Sequence, residues 1–313
     1  MTEILFWSDP HNSDTPPRMR KDSYCEDILA KQEKIAELSK GYDLVICGGD
    51  VFHQKRADRI SYRLVNRLCE IYREMGNLII VPGNHDVETR WDFKVRPLGI
   101  LSHLPNVRLS HAESIEFDDF VMLTYGGAEF FPEVEFLSWL EGESRLITVR
   151  DKRHRVGVFH QGIGNTAWNL PFPMIDARKV ENWVDFGLIG HIHSHVGYVS
   201  AGKLYCAGAI SRGSLTGDEV DRPVCYMHVE IGKDQISCGL QELPIKMGEE
   251  VFKISERMAE KKTEAGVNQF LSYIESFDLP KSMSAEEIIS YIESNTEIDK
   301  KVAHKAVSVL RGL

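Results

Sequence analysis

Five times along this chain an apolar run of strand length stops at a residue able to hold a cation. Ile4-Leu5-Phe6-Trp7 runs into Ser8-Asp9-Pro10-His11, Asp43-Leu44-Val45-Ile46-Cys47 into Gly48-Gly49-Asp50, and Leu78-Ile79-Ile80-Val81 into Pro82-Gly83-Asn84-His85-Asp86. In the second half, Val156-Gly157-Val158-Phe159 leads into His160-Gln161-Gly162, and Phe186-Gly187-Leu188-Ile189 into Gly190-His191-Ile192-His193. Short apolar runs of this kind read as buried strands. Helical periodicity from about Glu26 to Lys40, and from Ile60 to Met75, separates the first three runs. Strand and helix in alternation predict a largely parallel sheet, whose strands end on one shared edge. The five polar motifs should therefore meet in space.

Their residue types narrow the chemistry. Carboxylate, imidazole and amide oxygen together suit Mn²⁺, Fe, Zn²⁺ or similar ions and do not suit an all-thiolate site. Gly49, Gly83 and Gly190 allow a sharp turn off each strand. Any one of these motifs alone would be better read as a structural histidine. Five in order, each at a predicted strand end, are not.

The order Asp9-Pro10-His11, Gly49-Asp50, Gly83-Asn84-His85-Asp86, His160 and Gly190-His191-Ile192-His193 resembles that of the calcineurin-like metallophosphoesterases. Within them, Gly49-Asp50-Val51-Phe52-His53 and His160-Gln161-Gly162-Ile163 are similar to the SbcD-type DNA repair nuclease subunits, bacterial and phage relatives of the double-strand-break repair nuclease. The resemblance covers roughly residues 1–240. It implies a four-layer αββα sandwich and two divalent ions, Mn²⁺ above Mg²⁺, Fe or Zn²⁺. One ion would be held by Asp9, His11 and His193 and the other by Asn84, His160 and His191, with Asp50 between them. His85 would face the phosphate as a catalytic group rather than a ligand. Asp86 would orient His85, and His53 would stand near the nucleotide. Two cations about 3.5–4 Å apart clamp a phosphodiester and activate water for in-line attack, so no covalent enzyme intermediate is needed.

Further strands are predicted at Val107 to Leu109, Ile115 to Tyr125, Lys203 to Ala207 and Pro223 to Ile231, which suggests two sheets face to face. Composition changes near Pro244. Residues 1–243 are expected to form the phosphoesterase domain and 244–313 a small helical appendage, opened in part by Ser284-Ala285-Glu286-Glu287 and striped by Ile298, Val302, Ala306 and Leu310. That appendage is either a reduced cap or a docking segment for an SbcC-like, SMC-type ATPase. The stripe is equally readable as packing within its own domain. The family resemblance also implies a homodimer.

The 313 residues carry a formal net charge of −10, which argues against electrostatic coating of nucleic acid but not against a local site. Basic residues recur just past the motifs: Arg18, Arg20 and Lys21; Lys55, Arg56 and Arg59; Arg90, Lys94 and Arg96; Arg178 and Lys179. They predict a positive rim for a polyanion. The alternative is solvated loop charge balanced by Asp14, Asp58, Glu88 and Asp92. Arg212, in Ser211-Arg212-Gly213-Ser214, is a further phosphate candidate, or part of a simple turn. The run Arg150 to Arg155 precedes its strand and should lie at the far end from the metals. Trp168, Phe172 and Trp183 are either base-stacking or packing residues.

The six scattered cysteines predict reduced thiols. No run is long and apolar enough for a bilayer, and the N-terminus does not read as a secretory signal, so a cytoplasmic protein with no membrane partner is expected. Two functions compete. The first is a metal-dependent DNA exonuclease and endonuclease acting in repair and recombination. The second is a phosphodiesterase or phosphatase for a small nucleotide or cyclic phosphodiester.

Overall fold

In the computed structural model the apolar runs form two six-stranded sheets. The structure describes the chain outside residues 88–94, 128–131, 151–152, 167, 169, 171, 195–196, 200–201, 214–218, 221, 257–284, 295–299 and 312–313. In the first sheet β1 (Thr2–Trp7), β2 (Leu44–Cys47), β3 (Leu78–Ile80) and β4 (Val107–Leu109) lie parallel and in order. In the second, β6 (Phe120–Tyr125), β7 (His154–Phe159), β10 (Phe186–Ile189) and β12 (Leu204–Cys206) are parallel neighbours. Antiparallel strands finish the edges: β13 (Cys225–Ile231) and β14 (Ile236–Glu242) on the first sheet, β5 (Glu113–Glu116) and β11 (Gly197–Tyr198) on the second. A two-stranded ribbon, β8 (Ile163–Gly164) with β9 (Ile175–Asp176), stands apart.

Side-chain alternation assigns each strand two faces. Ile4, Phe6, Leu44, Ile46 and Ile79 of the first sheet meet Met122, Val156, Val158 and Leu188 of the second in one apolar layer. The opposite face of the first sheet, with Leu5, Trp7, Val45 and Ile80, packs on α1 (Tyr24–Ser39) and α2 (Tyr62–Glu74) through Leu29, Ile35, Leu64, Leu68 and Ile71. The short α3 (Pro97–Leu101) adds Leu98 and Leu101 to the same layer. The outer face of the second sheet covers Leu123, Tyr125, Phe159 and Ile189 with Phe136, Leu140 and Ile147 of α4 (Glu133–Arg150). The order helix, sheet, sheet, helix is the four-layer αββα sandwich.

Several expectations are corrected. The run from Ile115 to Tyr125 is not one strand. It turns at Asp118-Asp119, where Phe117 N–H donates to Phe120 O at 2.9 Å, and so becomes the β5–β6 hairpin. The helix α4 and strand β14 have no counterpart among the elements expected from sequence. Two compact units divide the chain, Met1–Val251 and Phe252–Leu313. The first runs past Pro244 because Leu243 and Ile245 pack on the core and Val251 O accepts from Lys21 N–H at 2.9 Å. In the second unit, helices Ala285–Ser294 and Lys300–Leu310 bury Ile292 against Ala306 and Val307. The predicted cap residue Ser284 and Ile298 lie outside the described residues. All six cysteines are free thiols.

Candidate metal centre

β1, β2, β3, β7 and β10 each end at one of the five motifs, and these ends converge. The chain turns hard to bring the side chains inward. Five described non-glycine residues have positive φ, and four of them are Asp9, His11, Asp50 and His191, with φ from 47° to 76°. Such a conformation is costly for a side-chain-bearing residue and survives only where its surroundings enforce it. Gly83 has no room for a side chain, since a Cβ there would stand 2.0 Å from Asp50 Oδ1.

Two groups of converged atoms share one carboxylate, and a third, His11 with His53 and His85, has none. Asp9, His11, Asp50 and His193 make the first, and Asp50, His160 and His191 the second. Asp50 Oδ1 accepts from His85 N–H at 2.7 Å. Its Oδ2 stands between His11 Nε2 at 3.5 Å and His160 Nε2 at 3.4 Å. Asn84 Oδ1 is 3.1 Å from His160 Nε2 and 3.0 Å from His191 Nδ1, which adds an amide oxygen to the second group.

The donor set fits cations. His160 Nδ1 is 2.6 Å from Gly48 O, so its proton belongs there and its Nε2 offers a lone pair toward two oxygens. His11 Nε2 and His193 Nε2 face each other at 3.0 Å. Asp9 Oδ2 accepts from His191 N–H at 3.1 Å. Its buried Oδ1 has no hydrogen-bond donor among the described residues and faces His193 Nε2 at 3.3 Å. Imidazole nitrogens and carboxylate and amide oxygens converging in this way are a donor set that a divalent ion satisfies. The carboxylates of the cluster call for positive charge. Burial alone would push the His160 imidazole down, yet Asp50 draws it up to about 9, a proton on Nε2 whose place a bound cation would take. Burial and the neighbouring His160 hold His191 down at about 4, leaving it a neutral ligand. Burial would raise the Asp50 carboxyl, but His160 and His11 hold it well below its usual range.

The three residues expected to be catalytic sit beside this cluster. The His85 ring lines the cavity, and its Nδ1 lies 2.8 Å from His53 O, leaving Nε2 to face a ligand. The His53 ring stacks on His85 at 5.4 Å and 19°. Burial, with His85 adding to it, pushes His53 down, so it is no cationic clamp. Asp86 is not the orienting group of the His85 ring, contrary to expectation. The turn at Gly83 sends its carboxylate back, where it accepts from Gly83 N–H at 2.9 Å, Phe52 N–H at 3.1 Å and Val51 N–H at 3.2 Å. Burial and the charge of Asp50 raise the Asp86 carboxyl to about 7 against these three donors.

The basic rim is corrected more deeply. Arg20 is buried, paired with Asp22 and Asp27, and donates to Arg212 O at 2.7 Å. Arg212 is buried too and donates to Val220 O and Lys246 O. Both guanidiniums are engaged within the protein, Arg212 by main-chain carbonyls and Arg20 by a carbonyl and two carboxylates, and neither is among the described lining residues of the cavity. Arg56 pairs with Asp58, Arg178 with Asp176 and Lys179 with Glu133. Arg18 is exposed and Lys55 half-buried, while Arg90 and Lys94 fall outside the described residues. Arg153 and Arg155 stand at the start of β7, at the opposite end from His160.

A cavity of about 1230 Å³ opens over the cluster. No lysine or arginine is among its described lining residues. One wall is apolar, with Leu170, Phe172, Pro173 and Met174, and the Phe172 ring lies 4.4 Å from that of His191. Trp168 packs over Gly164 and Trp183 beside Arg145, so neither lines it. Two residues that sequence reasoning missed hold ligand backbone. Tyr24 Oη donates to His11 O at 3.1 Å and Ser211 Oγ to Asp9 O at 2.7 Å. The Ser211-Arg212 segment is legible as relevant, but its serine makes the contact.

Among solved structures, TT1561 of Thermus thermophilus aligns with a TM-score of 0.47 at 15% identity, over 76% of this chain and 98% of that one. A 5′-nucleotidase precursor from the same organism gives 0.45 at 11% identity, over 87% and 59%. In sequence the chain is 23% identical over 193 residues to the DNA double-strand break repair protein Mre11 of Methanopyrus kandleri, which covers 56% of this chain and 40% of that protein. The chain therefore spans less than half the length of this relative. A model of the calcineurin-like phosphoesterases matches residues 2–195, a stretch that runs through all five motifs from Asp9 to His193. The chain belongs to that family of metal-dependent phosphoester hydrolases.

Proposed function

We propose that the protein is a two-metal DNA nuclease, cleaving phosphodiester bonds as exonuclease and endonuclease. The observation that carries the two-metal reading is the sharing of Asp50 Oδ2 between His11 and His160, with Asp9, His193, Asn84 and His191 completing the two groups. Mn²⁺ is the proposed ion at both positions, and there it would polarise the phosphate oxygens and activate water. The rest is done by the chain. His85 lines the cavity with its Nδ1 held by the His53 carbonyl, so in the imidazolium form its Nε2–H can donate to a phosphate oxygen or protonate the leaving one. His53 holds that ring by its carbonyl and its stacked imidazole. Asp86 holds the loops that carry Asp50 and His53.

DNA as substrate is supported by the likeness to the archaeal repair protein and by the Phe52-His53 pair beside Asp50. An SbcC-like ATPase docking on residues 244–313, a homodimeric state and a cytoplasmic place of action belong to the same proposal. A second reading, a phosphodiesterase for a small nucleotide, is favoured by the cavity, whose described lining has no cation and one apolar wall. Mn²⁺-dependent release of nucleotides from linear duplex DNA separates the two, because the small-substrate enzyme leaves the duplex intact while hydrolysing a small diester. His85→Ala should abolish turnover and leave the bound metal unchanged. Loss of metal in that variant would contradict the role given to His85.

A further inference from the structure

Four successive carbonyls, those of Ala209, Ile210, Ser211 and Arg212, each accept from a buried cation. Arg222 donates to Ala209 O at 2.8 Å and Ser211 O at 2.7 Å, Lys31 to Ile210 O at 3.1 Å, and Arg20 to Arg212 O at 2.7 Å. A carboxylate stands behind each cation. Glu219 pairs with Arg222, Asp27 with Lys31 and Arg20, and Asp22 with Arg20. The three cations come from separate stretches of chain and converge on one short segment.

The N–H groups of that segment are aimed at the metal centre. Ala209 N–H donates to His193 O at 3.1 Å, Ile210 N–H to Ser8 O at 3.0 Å, and Ser211 to Asp9 O through both N–H and Oγ. The segment therefore ties the end of β1 to the loop after β10, at two of the ligands that flank Asp9 Oδ1. The second group touches the strap-held Asp9 through the His191 N–H, but its other braces lie elsewhere, the Gly48 carbonyl on His160 and the Asp86 clamp on the Gly83 turn.

We propose that Lys31, Arg20 and Arg222 are positioning residues for one ion of the pair, the ion of Asp9, His11 and His193, acting through the strap Ala209–Arg212. Their charge is not offered to substrate. It is used to hold a strap of backbone whose amides hold Asp9 in its left-handed conformation, φ 54°, with His193 beside it. A buried cation donating to a carbonyl makes a charge-assisted hydrogen bond, stronger than its neutral counterpart. Loss of one should loosen the strap without loosening the second group.

The inference rests on the two-metal reading, and the test separates the two. Mn²⁺ is titrated into the full-length protein by equilibrium dialysis, with electron paramagnetic resonance reporting coupled pairs against isolated ions. The wild type should bind two ions with a coupled signal; a single ion or none would end the two-metal reading and this inference with it. Lys31→Met leaves Asp27 paired with Arg20. It should keep one affinity within about twofold and weaken the other at least about tenfold, replacing the coupled signal by that of an isolated ion. Arg222→Lys, which keeps the charge, should show a smaller loss in the same step. Leu140→Ala, in the core beneath α4, supplies a destabilised control that leaves the strap alone. If that control reproduces the Lys31→Met titration, or if both affinities fall equally in Lys31→Met or Arg222→Lys, the positioning role is refuted.

Discussion

The two sides of the metal cluster are braced by opposite charges. On the side of Asp50 and Asn84, one buried carboxylate, Asp86, gathers the amides of Val51, Phe52 and Gly83. On the side of Asp9 and His193, three buried cations gather the carbonyls of Ala209 to Arg212. Backbone polar groups must be satisfied wherever they are buried, and a charge facing them does so strongly. The difference lies in redundancy. The first side depends on a single residue, while the second distributes its load over three ion-paired ones. The carboxylate side should therefore be the more fragile.

The sharpest way to break this comparison is Gly83→Ala. Its methyl would meet Asp50 Oδ1 at 2.0 Å and Asp50 N at 2.3 Å, both rigidly held. Displacement of the shared carboxylate should remove metal and cost at least about 10²-fold in turnover, since angstrom-scale misplacement is that expensive. Metal analysis beside a diester assay reads both; near-wild-type values would show that Asp50 has room to move. Next in size, Asp86→Ala strips three buried amides of their acceptor and should lower unfolding free energy by roughly 3 kcal/mol or more. A denaturant series showing less than the loss in Lys31→Met would reverse the ranking of the two sides.

A third test is pH. His111 Nδ1 accepts from Gly126 N–H at 3.0 Å, and Gly127 N–H donates to Pro82 O at 2.9 Å, so His111 supports the carboxylate side from behind. Burial lowers its imidazole from 6.5 to about 4. The unfolded chain takes up this proton near 6.5 and the folded chain does not until about 4. Its effect on stability is thus absent at pH 7 and grows unfavourable as pH falls through that window, up to about 3 kcal/mol. His111→Asn, which does not titrate, should lose correspondingly less stability between pH 7 and pH 4; an unchanged slope would exclude His111 as a source. The smallest effect is expected for Arg56→Ala. Its ion pair with Asp58 stands in solvent, so the thermal midpoint of the variant should stay within the scatter of the wild type.

The centre is legible in the sequence because its signal is local. An apolar run followed by a ligand residue needs only a few consecutive positions, and parallel strands do the rest. The helix α4 is not legible, since its apolar residues do not fall on one stripe: Val134 and Leu146 are exposed while Phe136, Leu140 and Ile147 are buried. Arg20 misleads for a different reason. Its position just past the first motif suggests a rim, but its partner carbonyl, that of Arg212, comes from the other end of the domain. Asp86 misleads by adjacency to His85, although a turn separates the directions of neighbouring side chains. Pairings that close across the whole chain are decided by tertiary structure, and no local pattern announces them.

The ligands come from both sheets, β1, β2 and β3 of one and β7 and β10 of the other. Sheets packed face to face stand about 10 Å apart, a thickness set by the side chains between them. The apolar layer of Phe6, Ile46, Val158 and Leu188 therefore sets the spacing of the candidate ligands. In the proposed two-metal centre, a methylene added or removed there should register as a change in magnetic exchange between the ions, so that the interior of this sandwich would be calibrated spectroscopically from its rim.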